Sequence, residues 1–373
     1  MKKKAIVSVI NDLVTDQRVH RTCITLTENG YDVLLVGRKQ RKSLPLPQRA
    51  YQTKRMKLLF EKGVPFYLTF QCRLFWFLLF HKADLFFSND LDTLMPNFFV
   101  SKLKSKPLIY DSHEYFTGVP ELQENPLKQK TWKLVERVFL PRLKYLFTVN
   151  ESIAGLYNKE FELKEGFRVM RNLPLKRELP TKISRTELGL PEDKNIILLQ
   201  GAGINVDRGV EEAIEAMRYV NNGLLLIVGG GDAIEELKAH TNKLQLNDRV
   251  TFIPKQPFEK LMQYTIQADL GLSLDKDSNI NYRYSLPNKL FDYIHAEVPV
   301  LVSPIIEVKK IVQHYNVGEC ITTHSPQEIA GKINTMLADK AKLALYKENA
   351  HKAKEELCWD KEKQVLLTVL HAL

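Results

Sequence analysis

The chain is poor in cysteine and in long apolar runs. It has four cysteines among 373 residues, and they lie far apart, at Cys23, Cys72, Cys320 and Cys358. No CxxC pair or Cys/His ligand spacing occurs, which argues against a disulfide framework and against a structural zinc site. We count no apolar run of the roughly 20 residues that span a bilayer. The apolar start, Ala5–Ile10, is too short for a signal peptide and ends at Asn11 without a cleavage site, so we expect a cytoplasmic protein.

Several catalytic signatures are missing as well. The sequence has no Walker loop, no protein-kinase motif set, no HExxH motif and no serine-protease-type triad. It also has no candidate metal ligands at helical spacing. We therefore expect no resident cofactor.

Positive charge is in excess. Lys and Arg number 54 against 44 Asp and Glu, which gives a formal net charge of +10. Such a surface favours anionic partners such as phosphates, acidic lipid headgroups or nucleic acid. The alternative is that the charge serves solubility alone. No recognisable nucleic-acid-binding module is present, so we expect no nucleic-acid partner.

Strand-like and helix-like segments alternate along the whole chain, which is typical of parallel sheets covered on both faces. In the first half, the predicted strands are Ala5–Ile10, Asp32–Val36, Asp84–Ser88, Pro107–Tyr110, Tyr145–Val149 and Phe167–Met170. In the second half, they are Ile196–Gln200, Leu224–Val228, Arg249–Ile253, Leu270–Leu274, Val298–Ser303 and Cys320–Thr322. A charged, Pro-containing stretch separates the two series.

This pattern predicts an α/β protein with two doubly wound, Rossmann-like domains that face each other across a cleft. The expected N-terminal domain covers residues 1–175, and 176–195 form a linker. The expected C-terminal domain covers 196–355. Residues 356–373 are expected to form a helix that packs back on the N-terminal domain.

The segment Tyr67–His81 combines aromatic and basic residues. Trp76 and Phe80 lie on a short predicted helix together with Arg73, and a basic run precedes it at 54–62. This composition suits a helix at a membrane interface. The alternative is a helix buried against the sheet.

The segment Ser285–Tyr293 runs from a polar loop into a helix. We predict that the helix begins at Pro287 or Asn288, so that backbone N–H groups point outward there. Lys289 adds a positive charge in the first turn, where the helix dipole disfavours it. A bound diphosphate would relieve that conflict, which makes this helix start a candidate phosphate site.

Two Gly-rich turns follow predicted strands in the second half. The first, Gln200–Gly209, contains Arg208, whose planar guanidinium suits phosphate oxygens. The second, Val228–Asp232, has three consecutive glycines. Each turn either brings the backbone close to a ligand or is only a tight turn, and Gly201 and Gly203 are the candidates for close approach.

A histidine between two acids follows a predicted strand of the first half. His113 lies between Asp111 and Glu114, at the sheet edge where parallel strands place binding residues. It could donate hydrogen bonds or hold a proton. A purely structural histidine is the alternative.

Other charged residues follow neighbouring strands. Asp12, Asp16 and Arg18 come after the first strand, and they form either ligand contacts or a solvated loop. Asp90 and Asp92 come after another strand, where a helix-capping role is favoured over substrate binding.

The order and spacing of these motifs resemble family 4 of the retaining glycosyltransferases, a group 1 glycosyltransferase family with the GT-B fold. The likeness spans nearly the whole chain. It is carried by Asp16–Val19, Tyr110–Glu114, the turn ending in Arg208-Gly209, Gly229–Asp232, Ala268–Leu272 and Leu286–Tyr293. The resemblance implies a nucleotide-sugar donor bound by the second domain and an acceptor bound mainly by the first.

The resemblance also implies residue roles. Arg208 matches the basic residue that contacts the donor diphosphate. Ala202 occupies the place of a second basic residue, and Lys289 is the candidate substitute. Asp292 matches the second acid of an E-x7-E element that holds the ribose, whereas Tyr284 stands in place of the first acid.

From these matches we derive an expected site. The expected donor-binding residues are Gly201, Gly203, Arg208, Ile253, Lys255, Asn288, Lys289, Leu290 and Asp292. The expected acceptor-binding residues are Asp12, Asp16, Arg18 and Glu114. The expected catalytic residues are His113, Arg208 and Lys289, with His113 orienting the sugar or the acceptor.

The function expected from the resemblance is a hexosyltransferase-type enzyme that retains the anomeric configuration. Fixed side-chain cations would stabilise the charge on the leaving diphosphate in place of a metal ion, so no metal is expected. The acceptor is expected to be a cell-surface glycan or a lipid-linked molecule in polysaccharide biosynthesis at the cell envelope, reached by peripheral contact with an anionic membrane at its inner face. The alternatives are a nucleotide-sugar epimerase, a glycan phosphorylase, or a catalytically silent sugar-nucleotide-binding subunit, which Tyr284 keeps open.

Overall fold

The chain divides into two compact units. The computed structural model describes residues 2–14, 16–41 and 43–373, with the backbone alone at Pro120 and Glu121. The N-terminal unit comprises the residues up to Asn172 together with Glu362–Leu373, and the C-terminal unit is Leu173–Lys361. Residues 176–195, the predicted linker, have little regular structure and group with the C-terminal unit.

The N-terminal unit is built on a parallel sheet with helices between its strands. Its elements up to residue 169 are β1 (Lys3–Ser8), α1 (Gln17–Glu28), β2 (Tyr31–Lys39), β3 (Gln52–Lys57), α2 (Gly63–Phe80), β4 (Leu85–Asn89), α3 (Leu91–Leu103), β5 (Leu108–Ser112), α4 (Pro120–Gln123), α5 (Pro126–Phe139), β6 (Tyr145–Thr148), α6 (Glu151–Phe161) and β7 (Arg168–Val169). Within the described residues, the strands form a seven-stranded sheet in the order β3-β2-β1-β4-β5-β6-β7. All of its pairs are parallel, and the order reverses between β1 and β4.

The predicted strands of this half are confirmed, with shifted ends, but β3 was not predicted. Its sequence is polar and basic, and Met56 is its one buried residue. The reason is its position at the edge of the sheet, where most side chains face solvent.

The C-terminal unit repeats the same architecture. Its elements are β8 (Asn195–Gly201), α7 (Val210–Ala216), β9 (Gly223–Gly229), α8 (Ile234–Lys243), β10 (Val250–Pro254), α9 (Phe258–Thr265), β11 (Leu270–Ser273), α10 (Ile280–Arg283), α11 (Asn288–His295), β12 (Val300–Val302), α12 (Ile306–Tyr315), β13 (Gly318–Cys320), α13 (Pro326–Ala338), α14 (Lys340–Glu356) and α15 (Trp359–Glu362). Among the described residues, the strand order is β10-β9-β8-β11-β12-β13, and every pair is parallel. The order reverses between β8 and β11.

Apolar residues fill both faces of this second sheet. Ile197 and Leu199 of β8 pack into one core cluster, whereas Ile196 and Leu198 pack into the other. This alternation follows from the two-residue period of a strand. Each unit is therefore Rossmann-like, as predicted.

Helix α2 corrects an expectation about membrane-spanning length. It has 18 residues and is apolar enough to cross a bilayer by length and composition alone, although only 22% of it is buried. Gln71 and Arg73 interrupt the apolar residues, but aromatic and aliphatic residues outweigh them over the whole helix. One face of α2, with Phe66, Phe70, Leu74 and Leu78, is buried, and most of the rest of the helix is exposed or half-buried.

The last helix, α16 (Gln364–His371), groups with the N-terminal unit. Just before it, Arg171 Nη2 lies 2.6 Å from Oε2 of the buried Glu362, and Lys363 Nζ lies 3.3 Å from Glu28 Oε2. Ion pairs thus attach the chain end to this unit.

Candidate functional site

The C-terminal unit has a cavity of about 410 Å³ at the carboxyl ends of its central strands. The strand order reverses at this edge, which is where open α/β sheets bind ligands. Most of the expected donor-binding residues line the cavity: Gly201, Gly203, Arg208, Lys255, Asn288, Lys289 and Asp292. The structure therefore brings the two Gly-rich turns and the start of α11 to one place.

Ile253 and Leu290 are two exceptions: they do not line the cavity, and their predicted donor contacts stay predictions. Ile253 packs against the apolar core of the unit from within β10. Leu290 is 0% exposed in the same core, because it lies on the inner face of α11. Its backbone N–H donates to the Pro287 carbonyl at 3.1 Å, so the amide is already engaged.

Arg208 and Lys289 converge on one buried carboxylate that the sequence did not single out. Arg208 Nη1 lies 2.9 Å from Asp275 Oδ1, and Lys289 Nζ lies 3.2 Å from Asp275 Oδ2. Asp275 is 1% exposed. Burial opposes its ionisation, but Lys289 and Arg208 outweigh burial and hold the pKa of this carboxyl below its ordinary value. The three side chains thus form a fixed ionic group with one net positive charge in the cavity wall.

Arg208 keeps donor capacity for a ligand. Its guanidinium lies 4.3 Å from the centre of the Tyr282 ring, a cation–π contact that fixes its plane. Its Nε is a buried donor that has no hydrogen-bond partner among the described residues. An anionic oxygen at this edge of the guanidinium group would accept a hydrogen bond from the Nε–H group.

Close backbone packing explains how the chain builds this wall. Gly209 has a φ of 68°, and a Cβ there would lie 2.2 Å from the Leu274 carbonyl oxygen. Only glycine therefore lets the start of α7 approach the end of β11, which brings Arg208 next to Asp275. At Gly229, a Cβ would lie 1.8 Å from the Gly201 carbonyl oxygen, so the two Gly-rich turns also touch through their backbones.

Helix α11 begins at Asn288, as predicted. Its N-cap is Pro287, a residue whose side chain has no hydrogen-bond acceptor. The positive end of the helix dipole therefore points at the cavity together with the Lys289 ammonium group. This combination favours an anion at the helix start.

A second polar network orients Asp292. Gln200 Nε2 donates to Asp292 Oδ2 at 3.1 Å, and Thr265 Oγ1 donates to Gln200 Oε1 at 2.8 Å. The Gln200 backbone N–H donates to the Tyr293 hydroxyl at 3.1 Å. The sequence analysis did not single out Gln200, although a polar side chain at the end of the apolar strand β8 was a usable signal.

In the N-terminal unit, His113 lies among acceptors on both sides of its ring. Its Nδ1 is 3.3 Å from Asp90 Oδ2, and its Nε2 is 3.3 Å from Asn89 Oδ1 and 3.5 Å from Asp111 Oδ2. The His113 backbone N–H also donates to Asp90 Oδ1 at 2.8 Å. Asp90 is at the N-cap position of α3, but its carboxylate faces His113, which corrects the predicted capping role.

These carboxylates keep His113 charged. Burial lowers the pKa of His113, but Asp90 and Asp111 outweigh burial and raise it to about 9. Asp111 is itself ionised, because Arg18 holds the pKa of this buried carboxyl far below its ordinary value. His113 is therefore an imidazolium at neutral pH, with each ring nitrogen facing an acceptor.

Two of the expected acceptor-binding residues, Arg18 and Asp16, make contacts within the N-terminal unit. Arg18 is 3% exposed and pairs with Asp111 through Nε at 2.9 Å and Nη2 at 2.7 Å. The Asp16 carboxylate accepts from the Val19 backbone N–H and so caps α1. The buried ion pair corrects the predicted acceptor contact of Arg18, whereas the acceptor contact of Asp16, which helix capping does not exclude, stays a prediction.

Asp12 and Glu114 differ in exposure. Asp12 Oδ1 lies 3.4 Å from Arg55 Nη1, and both side chains are mostly buried. Glu114 is exposed, next to His113. Of the four expected acceptor contacts, Glu114 is therefore the most accessible.

The described residues contain no group of three or more His, Cys, Asp or Glu side chains arranged to hold a metal ion. The cationic groups at the cavity are Arg208, Lys255 and Lys289. These side chains suit an anionic ligand.

Comparisons with known proteins show what the chain is similar to in sequence and in fold. The model of glycosyl transferases group 1 matches residues 180–353. D-inositol 3-phosphate glycosyltransferase from Xylanimonas cellulosilytica is 24% identical over 197 residues, which cover 50% of this chain and 44% of that relative. The matched part is thus less than half the length of this curated relative.

Solved structures share the fold over the whole chain. Sucrose-phosphate synthase from Thermosynechococcus elongatus is 18% identical, with a TM-score of 0.77 and 100% coverage of both chains. Anabaena Alr3699/HepE in complex with UDP is 16% identical, with a TM-score of 0.77 and 100% coverage of both chains. The same Anabaena protein was also solved with UDP-glucose. At these identities, the likeness shows the fold alone.

Proposed function

We propose that this chain, whose residues 180–353 match the model of glycosyl transferases group 1, transfers a sugar from a nucleotide-diphosphate sugar to an acceptor hydroxyl. The observation that carries the proposal is the meeting of Arg208 and Lys289 on Asp275 in the wall of one cavity. Two fixed cations beside a helix start are suited to a diphosphate. The Anabaena neighbour solved with UDP and UDP-glucose supports this donor class.

The reaction proposed is displacement of the nucleoside diphosphate with retention of the anomeric configuration. Negative charge develops on the leaving diphosphate, and Arg208, Lys289 and the α11 start stabilise that charge. Losing one such prearranged donor costs about 3 kcal/mol, or roughly a hundredfold in rate. Asp292, oriented by Gln200, is proposed to hold the ribose hydroxyls.

His113 has a supporting role in this proposal. An imidazolium with both ring nitrogens facing Asp90, Asn89 and Asp111 has no free lone pair for a proton. It therefore cannot act as the general base at neutral pH. We assign the proton of the acceptor hydroxyl to the leaving phosphate oxygen, on the same face of the sugar, with His113 as a fixed cation.

The acceptor class is proposed from the N-terminal unit. We propose a hydroxyl of a cell-envelope glycan or a lipid-linked acceptor, reached at the inner face of an anionic membrane. The support is the exposed apolar and basic helix α2. No metal is required in this proposal, because the two side-chain cations supply the charge.

A ligand screen followed by product analysis tests the function. A nucleoside diphosphate present at a concentration of about a hundred times its dissociation constant should raise the free energy of unfolding by about 2.7 kcal/mol. The nucleotide sugar with the matching base is then incubated with the protein and membrane extract. Extended glycan with the anomeric configuration of the donor is the expected product, and a protein that no nucleoside diphosphate stabilises would contradict the proposal.

A catalytically silent sugar-nucleotide-binding subunit remains a second candidate because Tyr284 stands in place of an acid. It predicts binding of the nucleoside diphosphate without transfer or donor hydrolysis. An epimerase on the same fold would instead give an inverted sugar without an extended glycan. The same product analysis separates the three.

A further inference from the structure

Helix α2 is apolar on two opposite faces. Its inner face has buried residues at four-residue intervals, namely Phe66, Phe70, Leu74 and Leu78. Its outer face has exposed apolar residues four or eight residues apart, with exposures of 63%, 61%, 55% and 76% for Val64, Leu68, Trp76 and Phe80. The two series are offset by two residues, about 200° around a helix, so they point in opposite directions. The inner series packs α2 into its unit, and the outer series is open to solvent.

Two neighbouring helices also have exposed apolar side chains. Helix α2 packs on α3, and α3 packs on α5. The ring of Tyr67 on α2 also meets Trp132 of α5 edge to face at 5.7 Å. Exposed apolar side chains on these neighbours include Leu103 of α3 and Leu127 of α5, with exposures of 67% and 76%. We call the exposed apolar side chains of α2, α3 and α5 the three-helix surface.

Positive charge borders this surface. Between Lys54 and Lys82 there are six Lys or Arg residues and one Glu. A groove of about 580 Å³ between β3 and α2 is lined by basic side chains, including Arg55 and Lys57, beside Trp76 and Phe80. The Trp76 and Phe80 rings stack at 5.7 Å with an interplanar angle of 13°. A basic groove next to exposed aromatic rings matches an interface of lipid headgroups and acyl chains.

The positive charge beside this surface favours an anionic bilayer over a second copy of the chain as its partner. A second copy of the chain would bring the same positive groups to the contact, and the two copies would repel each other there. An anionic bilayer supplies the complementary charge. A bilayer-spanning arrangement of α2 is excluded by the inner series, which is buried within the N-terminal unit.

We propose that the three-helix surface docks the N-terminal unit on an anionic lipid bilayer, with α2 lying parallel to the bilayer plane. The groove between β3 and α2 then takes lipid phosphate, and the outer series of α2 enters the acyl boundary. The inference deepens the proposed function, on which it rests, because it names the surface that meets a lipid-linked acceptor. Vesicle binding is measured without donor or acceptor, so its failure is distinguishable from a failure of sugar transfer.

The first experiment is sedimentation of the full-length protein with lipid vesicles. The vesicles are phosphatidylcholine alone, or phosphatidylcholine with about a third phosphatidylglycerol, at low salt (about 0.05 M) and at high salt (about 0.5 M). We expect binding to the anionic vesicles at low salt. Binding at high salt, or to phosphatidylcholine alone, should be at least tenfold weaker.

The second experiment uses matched variants. The double variant Trp76→Glu with Phe80→Glu should lower the partition coefficient on anionic vesicles at least tenfold. Leu345→Glu is the control, since Leu345 is an exposed leucine of α14 in the C-terminal unit, and it should bind as the wild type does. All changed residues are exposed, and circular dichroism with thermal unfolding verifies that the variants fold. Lys62→Glu with Lys82→Glu tests the charge separately and should weaken the salt-sensitive part of the binding.

Three results would overturn the proposal. The first is no binding to anionic vesicles at low salt, and the second is equal binding by the wild type and the Trp76/Phe80 double variant. The third is a wild-type dimer in sedimentation velocity that the double variant converts to a monomer, without vesicle binding by either protein. That last result would assign the surface to a second copy of the chain.

Discussion

Arg208 Nη1 lies 2.9 Å from Oδ1 of Asp275, a carboxylate with 1% exposure. Because Lys289 contacts the other oxygen of the same carboxylate, one buried acid determines the spacing of two cations. This arrangement gives the proposed site a second cation, although Ala202 stands where the resemblance places a basic residue. The second cation comes from the start of α11 instead.

Asp275→Asn should destabilise the free protein and strengthen its response to ligand. Removing one partner of a buried ionic group leaves charges uncompensated, so we expect a loss of about 2 kcal/mol or more in the free energy of unfolding. A nucleoside diphosphate then supplies the missing negative charge and should raise the unfolding temperature more in the variant than in the wild type. Asp277→Asn is the control, because Asp277 is half exposed and pairs with the exposed Arg283. A variant with unchanged stability would show that Asp275 has no such role.

Lys289→Met should lower turnover at least tenfold while the fold is retained. The substitution keeps the length of the side chain and removes the charge that stabilises the leaving diphosphate. Initial rates are measured with the nucleotide sugar that stabilises the wild-type protein best. Arg218→Ala, at an exposed position just after α7, should leave the rate unchanged. Equal rates for Lys289→Met and the wild type would remove Lys289 from the catalytic residues.

Asp90→Asn should lower the pKa of His113 by at least one unit from its value of about 9. Asparagine keeps the acceptor for the His113 backbone N–H and tolerates the φ of 56° at this position. Because the folded-state pKa of His113 lies above the unfolded value of about 6.5, its ionisation stabilises the protein fully below pH 6.5 and loses that effect as pH rises through about 9. NMR titration of the imidazole protons measures the pKa of His113 in the wild type and in the variant. Asp92→Asn is the control, because it replaces a different nearby carboxyl. A wild-type His113 that titrates below pH 7 would contradict the ionisation described here.

Asp92→Asn should stabilise the protein at pH 7 to 8 and leave it unchanged near pH 3. Burial raises the pKa of Asp92 to about 8, with Asp90 and Glu114 adding to the effect. The unfolded state therefore releases its proton near pH 4, whereas the folded state holds it until about pH 8, so Asp92 destabilises the fold progressively over that range. A gain of at least about 1 kcal/mol is expected at pH 7, since each pKa unit corresponds to about 1.4 kcal/mol. Thermal unfolding against pH measures it, and a pH-independent effect would contradict the assignment.

The fold was largely predictable because apolar strands alternate with helices in both halves. The exception, β3, is a polar edge strand, whose composition differs little from that of a loop. The cationic lining of the C-terminal cavity was predictable because Arg208 and Lys289 are residue types that suit anionic ligands. Asp275 was missed because a single acid near the end of a strand has no distinctive pattern, and its role depends on the contact between Gly209 and Leu274. Arg18 was misassigned because the sequence does not show that Asp111 is its buried partner.

The most direct test of the account is calorimetric titration of a nucleoside diphosphate into the wild type and into Arg208→Ala. UDP is tried first, because Anabaena HepE was solved with it. We expect UDP to bind the wild type and to bind the variant about tenfold to hundredfold more weakly, as for a lost hydrogen bond to a charged group. Equal affinities for the two proteins would contradict the claim that the cationic wall of the C-terminal cavity binds the diphosphate.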